Sequence, residues 1–204
     1  MPPIVSNEYK EERKQIILQS AFECFAEKGF QIATIDDIVK QSGISKGSIY
    51  NYFDSKDDIY IELMNATTKE NINLLKNNMQ QYNSTKDKLE YFFSVYSNLE
   101  NNDQYLNSVL VYIEFWLYSS RKSALRNLMI DRYHLYLDFF KDLIIEGITN
   151  GQCSPTADPE EISHILWGII DGVSLHYAML TPNNYPFKEI INQSRCFIFN
   201  ELKI

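Results

Sequence analysis

Cysteine is scarce: Cys24, Cys153 and Cys196 are the only three in 204 residues. They stand far apart and odd in number, with no CxxC pair and no Cys/His cluster at ligand spacing. Neither disulfides nor a metal site is therefore expected. Glycine and proline are few as well, seven and six in all, which leaves long stretches free of helix breakers. No stretch reaches the ~18 uncharged apolar residues of a membrane-spanning helix. The opening MPPIVSNEYKEERK has no apolar run followed by a cleavage site. A soluble, cytoplasmic protein without a membrane partner is the expectation. A Gly-rich phosphate loop, a nucleophile elbow and paired catalytic carboxylates are missing too, so neither an enzyme nor a cofactor is expected. Nor is there a basic excess: the net charge is −8, and residues 1–56 hold seven Lys/Arg against eight Asp/Glu. That balance argues against indiscriminate affinity for nucleic acid, though not against a locally basic face.

What is present is apolar and aromatic, 45% and 14% of residues, enough to bury a substantial core. The most informative stretch is residues 34–56, TIDDIVKQSGISKGSIYNYFDSK. Thr34 caps a short helix, Asp37 completes a capping-box pair, and Asp36 adds negative charge to the first turn. Ile35, Ile38 and Val39 form its apolar face, and Gly43 ends it. Ser45 caps a second helix that turns Ile49 and Phe53 inward. Lys46, Gly47, Ser48, Tyr50, Asn51 and Tyr52 are left available. Ser55 and Asp58 repeat the cap for a third. Two short helices about a glycine turn, the second with a donor-rich first half, make a helix-turn-helix that lays its second helix in the DNA major groove. Lys56 at a helix start opposes the macrodipole; it is either a solvated lysine or shares a phosphate with the helix-end amides.

Residues 45–59, SKGSIYNYFDSKDDI, resemble the recognition-helix signature of TetR-family transcriptional regulators. FAEKGF at 25–30 and TIDDI at 34–38 are similar to that family's first and second helices. The resemblance covers about the first sixty residues. At Asn51-Tyr52 it departs from an aromatic followed by histidine, and Tyr52 still offers a phosphate donor. The resemblance implies an all-α protein: a three-helix DNA-binding head, residues 1–55, on a larger ligand-binding and dimerisation body, residues 56–204. It implies a repressor released from a near-palindromic operator when a small hydrophobic molecule binds the body. On DNA, Lys46, Tyr50 and Asn51 are expected at base edges, and Thr34, Ser48, Tyr52 and Lys56 at phosphates. Ser45 and Gly47 complete the interface.

The first helix, about 8–28, carries Ile17, Ala21, Cys24 and Phe25 on one stripe; Arg13 and Lys14 near its start either reach the DNA backbone or are solvated. A long helix runs from Lys56 to about Gln80 without Pro or Gly, a rigid connection between head and body. Five more follow, at about 85–100, 103–119, 120–150, 159 to before Pro182, and 187–202. The second of these is apolar all round and reads as buried. Ile165, Gly168, Ile169, Gly172 and Val173 of the fourth, with Ile191, Phe197 and Ile198 of the fifth, offer more apolar stripe than one bundle needs. Members of the resembled family pair their last two helices, so these residues are expected at a homodimer interface.

Rings are abundant in the body, and Tyr91, Tyr96, Tyr112, Phe115, Trp116, Tyr133, Tyr136 and Trp167 either fill the core or line an effector cavity. Glu114, a carboxylate inside an apolar run, must be paired, protonated or at a cavity. If it lines a cavity, a lipophilic cation is the natural effector; pairing with Arg126 or another base removes that inference. His134 and His176 read as structural histidines. A DNA-binding regulator that answers no small molecule remains the alternative, and an enzyme or binding protein with an incidental head is the remote one.

Overall fold

The computed structural model describes residues 6–180 and 184–204. Over these the chain forms nine helices and no strand. Local chemistry sets most of the starts. The Ser6 hydroxyl accepts from the Tyr9 N–H at the head of α1 (Asn7–Lys28). Thr34 and Asp37 close the reciprocal capping box of α2 (Ile35–Ser42), each side chain accepting from the other's backbone N–H. Gly43, at φ +66°, then turns the chain in the left-handed conformation that only glycine adopts cheaply. Ser45 and Ser55 cap α3 (Lys46–Tyr50) and α4 (Lys56–Met79). Ser84 caps α5 (Thr85–Ser97) and Asn102 caps α6 (Asp103–Ser119). Then α7 (Ser123–Thr149) begins without a side-chain cap, later than the expected Ser120. In α8 (Pro159–Leu180) the Asp158 carboxylate accepts from the Glu160 and Glu161 N–H groups. Its expected stop at Pro182 lies outside the described residues, as does the start of the opening segment. The last helix is α9 (Phe187–Leu202).

Two apolar cores result. One joins α1, α2, α3 and the first half of α4, and is closed from outside by Val111 and Phe115 of α6 and Met129 of α7. The other unites the second half of α4 with α5, α7, α8 and α9. Both cores share α4, which gives Ile59 to Met64 to the first and Ile72 to Met79 to the second. The cores therefore divide inside α4, beyond residue 56. Phe115 stacks on Tyr60 at 3.6 Å and meets Phe30 edge-on at 4.8 Å. A fully buried ring of this kind contributes on the order of 3–5 kcal/mol, so the head is anchored to the body by its core.

The apolar run of α6 is not buried all round. Leu110, Trp116 and Leu117 are 43%, 52% and 64% exposed, while Val111 and Phe115 face the head core. The head core takes Val111 and Phe115, the body core packs against Tyr105 and Leu106 of the same helix, and a third strip of the run is left exposed. Among the described residues no helix is long and apolar enough to cross a membrane. Cys24 is buried on the α1 stripe, and burial raises its thiol pKa, which fits a small core residue.

Candidate DNA interface and effector site

Ile49, fully buried, pins α3 to the head and turns the rest of it outward. Lys46, Gly47, Tyr50 and Asn51 are exposed, and Ser48 and Tyr52 half-buried. The Lys46 ammonium meets the Asp36 carboxylate at 2.9 Å with both side chains largely in solvent. Such a pair is worth about 0–1 kcal/mol and exchanges readily for a phosphate or base. Nothing lies within 4 Å of where a Cβ on Gly47 would sit, so packing within the chain does not require glycine there. The Ser45 and Thr34 hydroxyls are engaged as caps: Ser45 Oγ accepts from Ser48 N–H, and Thr34 Oγ1 donates to Asp37 at 2.7 Å. Lys28 holds Asp37 from the other side at 2.7 Å, and its hydrogen bond, with those from Thr34, keeps that carboxyl well below the usual range. A concavity of about 470 Å³ separates the α1 start from α3, with Tyr9, Arg13, Ser48, Asn51 and Tyr52 among its walls. Arg13 lies over the Tyr9 ring there, whereas Lys14 is taken by Glu62 at 2.6 Å.

Lys56 does not face outward. Its Nζ donates to the carbonyls of Phe30, Gln31 and Ala33 at 2.5, 3.2 and 2.7 Å, and it sits over the Phe30 ring at 4.5 Å. All three ammonium protons are used, so its assignment to a phosphate is corrected: it clamps the loop between α1 and α2. Burial pulls its pKa below the ordinary lysine value, with Asp57 and Glu114 acting in opposition. Glu114 grips the same loop from α6. Its carboxylate accepts from the Phe30 and Gln31 N–H groups at 2.7 and 3.2 Å. Gly29, at φ +80°, admits it, since a Cβ there would lie 3.0 Å from both oxygens. The anion thus takes the donors and the cation the acceptors of one loop. Glu114 is taken up by these two donors, so the cationic effector inferred from it does not follow. Two further contacts reach the start of α4: the Tyr118 hydroxyl of α6 donates to Asp57, and Lys122, just before α7, pairs with Asp57 at 3.2 Å.

The body holds a second constellation. Tyr96 of α5, Tyr105 and Tyr112 of α6, and Asp171 of α8 are enclosed by protein. Desolvation is the leading cause that pushes Tyr96 well above the ordinary phenol range, Tyr105 and Tyr112 up to about 12, and Asp171 up to about 6. Yet all four keep accessible surface. All four lie deep in the body, and the field of Asp171 reaches all three rings. Around it, Trp167 lies flat on Tyr136 at 3.9 Å, and the Tyr105 hydroxyl meets Ser174 Oγ at 2.5 Å. Arg132 stands over the Tyr112 ring at 4.6 Å and donates from Nε to Thr68 at 2.5 Å. The Tyr133 hydroxyl lies 3.2 Å from His164 Nδ1. The remaining expected lining residues fall elsewhere. Tyr91 packs on Tyr82, Phe115 belongs to the head core, and Trp116 is on the surface, stacked on the outside of Tyr112.

Residues 17–63 match the family described as bacterial regulatory proteins, tetR family, and residues 88–186 the tetracyclin repressor-like C-terminal domain. The chain belongs to the TetR family. Among its relatives is the HTH-type transcriptional regulator YfiR of Bacillus subtilis (strain 168), 26% identical over 178 residues, 85% of this chain and 83% of the relative. The fatty acid metabolism regulator protein of the same organism is 26% identical over 163 residues, 80% and 82% of the two chains. The crystal structure of FadR from Bacillus subtilis in complex with stearoyl-CoA superposes with a TM-score of 0.76 at 25% identity, covering 90% of this chain and 96% of that one. This TetR-family chain is accordingly a DNA-binding transcriptional regulator and not an enzyme. Regulators of the family bind DNA, dimerise and bind small-molecule effectors.

For a TetR-family dimer, the expected interface residues divide. Ile191, Ile198 and Val173 are buried in the chain's own core at 0%, 1% and 5% exposure and have little to offer a partner. Gly168 and Phe197 are exposed, Ile165, Ile169 and Gly172 half-buried, and a Cβ on either glycine would meet open space. Sequence reasoning missed Asp171, Arg132 and Tyr105. Asp171 carried the same signal as Glu114, a carboxylate inside an apolar run, Ile169-Ile170-Asp171-Gly172-Val173.

Proposed function

We propose that the protein is a cytoplasmic, homodimeric repressor that releases its operator when a small hydrophobic molecule binds in the body. One observation carries this reading: the helices that bear the enclosed cluster around Asp171 are the helices that hold the head. On α6, Tyr105 and Tyr112 belong to that cluster, and Glu114 and Tyr118 grip the α1–α2 loop and Asp57. On α4, Thr68 accepts from Arg132, which stands over the Tyr112 ring, while Lys56 clamps the same loop. A ligand that displaces α6 pulls on Phe30 and Gln31 and turns both heads out of register with the grooves. Linkage then requires operator DNA to weaken the ligand by the same factor. The relatives named for fatty acid metabolism, and solved with stearoyl-CoA, support a body that takes an apolar small molecule.

On DNA, Lys46, Tyr50 and Asn51 read base edges, and Ser48, Tyr52, Thr34 and Ser45 lie along phosphates with Gly47 flush between them. Two-fold pairing through Ile165, Gly168, Ile169, Gly172 and Phe197 sets the two α3 helices about 34–36 Å apart, on successive major grooves. Selection from a randomised DNA pool at fixed salt tests this and is expected to enrich an inverted repeat with half-sites one turn apart. An unenriched pool would count against sequence reading. Lys46→Ala is expected to cost about 1–3 kcal/mol on the selected site and to relax preference at one base pair. Equal losses on cognate and random DNA would refute that role. Gly172→Gln fills the open α8 face and is expected to weaken the dimer at least tenfold in sedimentation equilibrium, with the thermal midpoint of the monomer unchanged. An unaltered dimer would place the interface elsewhere.

A further inference from the structure

We propose that Asp36 is a specificity-determining residue: it keeps Lys46 from settling on DNA phosphates and leaves it free for a base edge. This rests on Lys46 reading bases from α3. The carboxylate is the anomaly of the head. A negative charge on a face that meets DNA is repelled by the phosphates around it. Capping does not account for it, because Thr34 and Asp37 already close the box that starts α2. Asp37 is turned to Lys28 and Thr34. Asp36 instead crosses to α3, where its carboxylate meets the Lys46 ammonium at 2.9 Å, and it has no second side-chain partner among the described residues.

The neighbouring cations have other duties. Lys14 is held by Glu62, Lys28 by Asp37, and Lys56 by three carbonyls. What Lys46 can do is therefore set by Asp36. A lone ammonium pairs with any phosphate, and that contact carries no sequence information. The Asp36–Lys46 pair is weak in itself, at 65% and 52% side-chain exposure. Discrimination comes from what the exchange leaves behind: a Lys46 drawn to a phosphate leaves Asp36 unpaired beside a second anion. A guanine edge sets no such penalty. Its N7 and O6 are neutral acceptors side by side, and an ammonium has three protons. Lys46 can thus donate to the base while still donating to Asp36. Specificity is a difference of affinities, and Asp36 widens it by weakening the wrong complex.

Anisotropy titrations of the full-length protein over a salt series test this, on the selected inverted repeat and on a random duplex. Asp36→Asn keeps the side-chain shape and removes its charge. It is expected to tighten random-duplex binding about three- to thirtyfold over two half-sites. The salt slope on that duplex is expected to steepen by about one unit per half-site, because Lys46 now takes a phosphate. The selected site is expected to gain less, so the selected-to-random ratio falls by roughly threefold or more. Adding Lys46→Ala is expected to cancel the gain on random DNA. Asp36→Glu, which keeps the charge, is expected to hold the parent ratio. A ratio unchanged by Asp36→Asn would overturn the inference, as would a gain on random DNA that persists without Lys46. A ratio that falls as far in Asp36→Glu would assign the effect to the fold of α2 and overturn it too. A parent that binds both duplexes alike would remove the base-reading role itself, and the inference with it.

Discussion

Lys56→Met is expected to destabilise the protein by on the order of 2–4 kcal/mol, an effect that a phosphate-binding lysine would not show. The ammonium serves three backbone carbonyls, those of Phe30, Gln31 and Ala33, and removing it leaves them with no partner among the described residues. Methionine keeps the stem over the Phe30 ring, so the loss is electrostatic more than volumetric. The lower part of the range applies if water reaches Gln31, which is exposed. Denaturant unfolding checks this: the midpoint is expected to fall with the slope unchanged. Operator affinity is expected to fall with it, because the loop positions α2. A variant that melts like the parent but loses about one unit of salt slope per half-site would restore the phosphate assignment.

Glu114→Ala is the second large effect, about 2–3 kcal/mol of stability. Two N–H groups, of Phe30 and Gln31, lose a charged acceptor, and the space beside Gly29 opens. The anion and the cation act on one loop, so the two losses are not independent. The double variant with Lys56→Met is expected to lose less than the sum of the singles. Strict additivity, measured by the same unfolding curves, would show that each clamp acts alone.

The sequence carried the parts of this fold that are local. Thr34 with Asp37, Gly43, Ser45, Ser55 and Ser84 each signal a helix end within three residues, and each does so in the structure. Where the start has no cap, as at Lys122, the expected boundary slipped. Asn101 at φ +60° ends the turn after α5, a role asparagine tolerates but does not announce. The puzzle at Lys56 was legible, since a cation at a helix start is disfavoured. Its answer was not, because the partners are backbone carbonyls more than twenty residues away, and backbone leaves no trace in the residue pattern. Glu114 failed for the same reason: its donors are two peptide N–H groups far back in the chain. Aromatic content did not say which rings would face an effector, and Trp116 and Phe115 turned to the surface and to the head core.

The central claim is that effector binding in the body and the head are joined through α6, and operator anisotropy tests it most directly. The selected inverted repeat is titrated with protein, alone and with saturating stearoyl-CoA, the ligand of the related FadR structure, as probe. The same pair of titrations is run on Glu114→Gln, which keeps the shape of the clamp but removes its charge. In the parent the probe is expected to raise the operator Kd by about 5–150-fold, and operator to weaken the probe by the same factor. In Glu114→Gln the factor is expected to fall toward one. An operator Kd that saturating probe leaves unchanged in the parent would contradict the account.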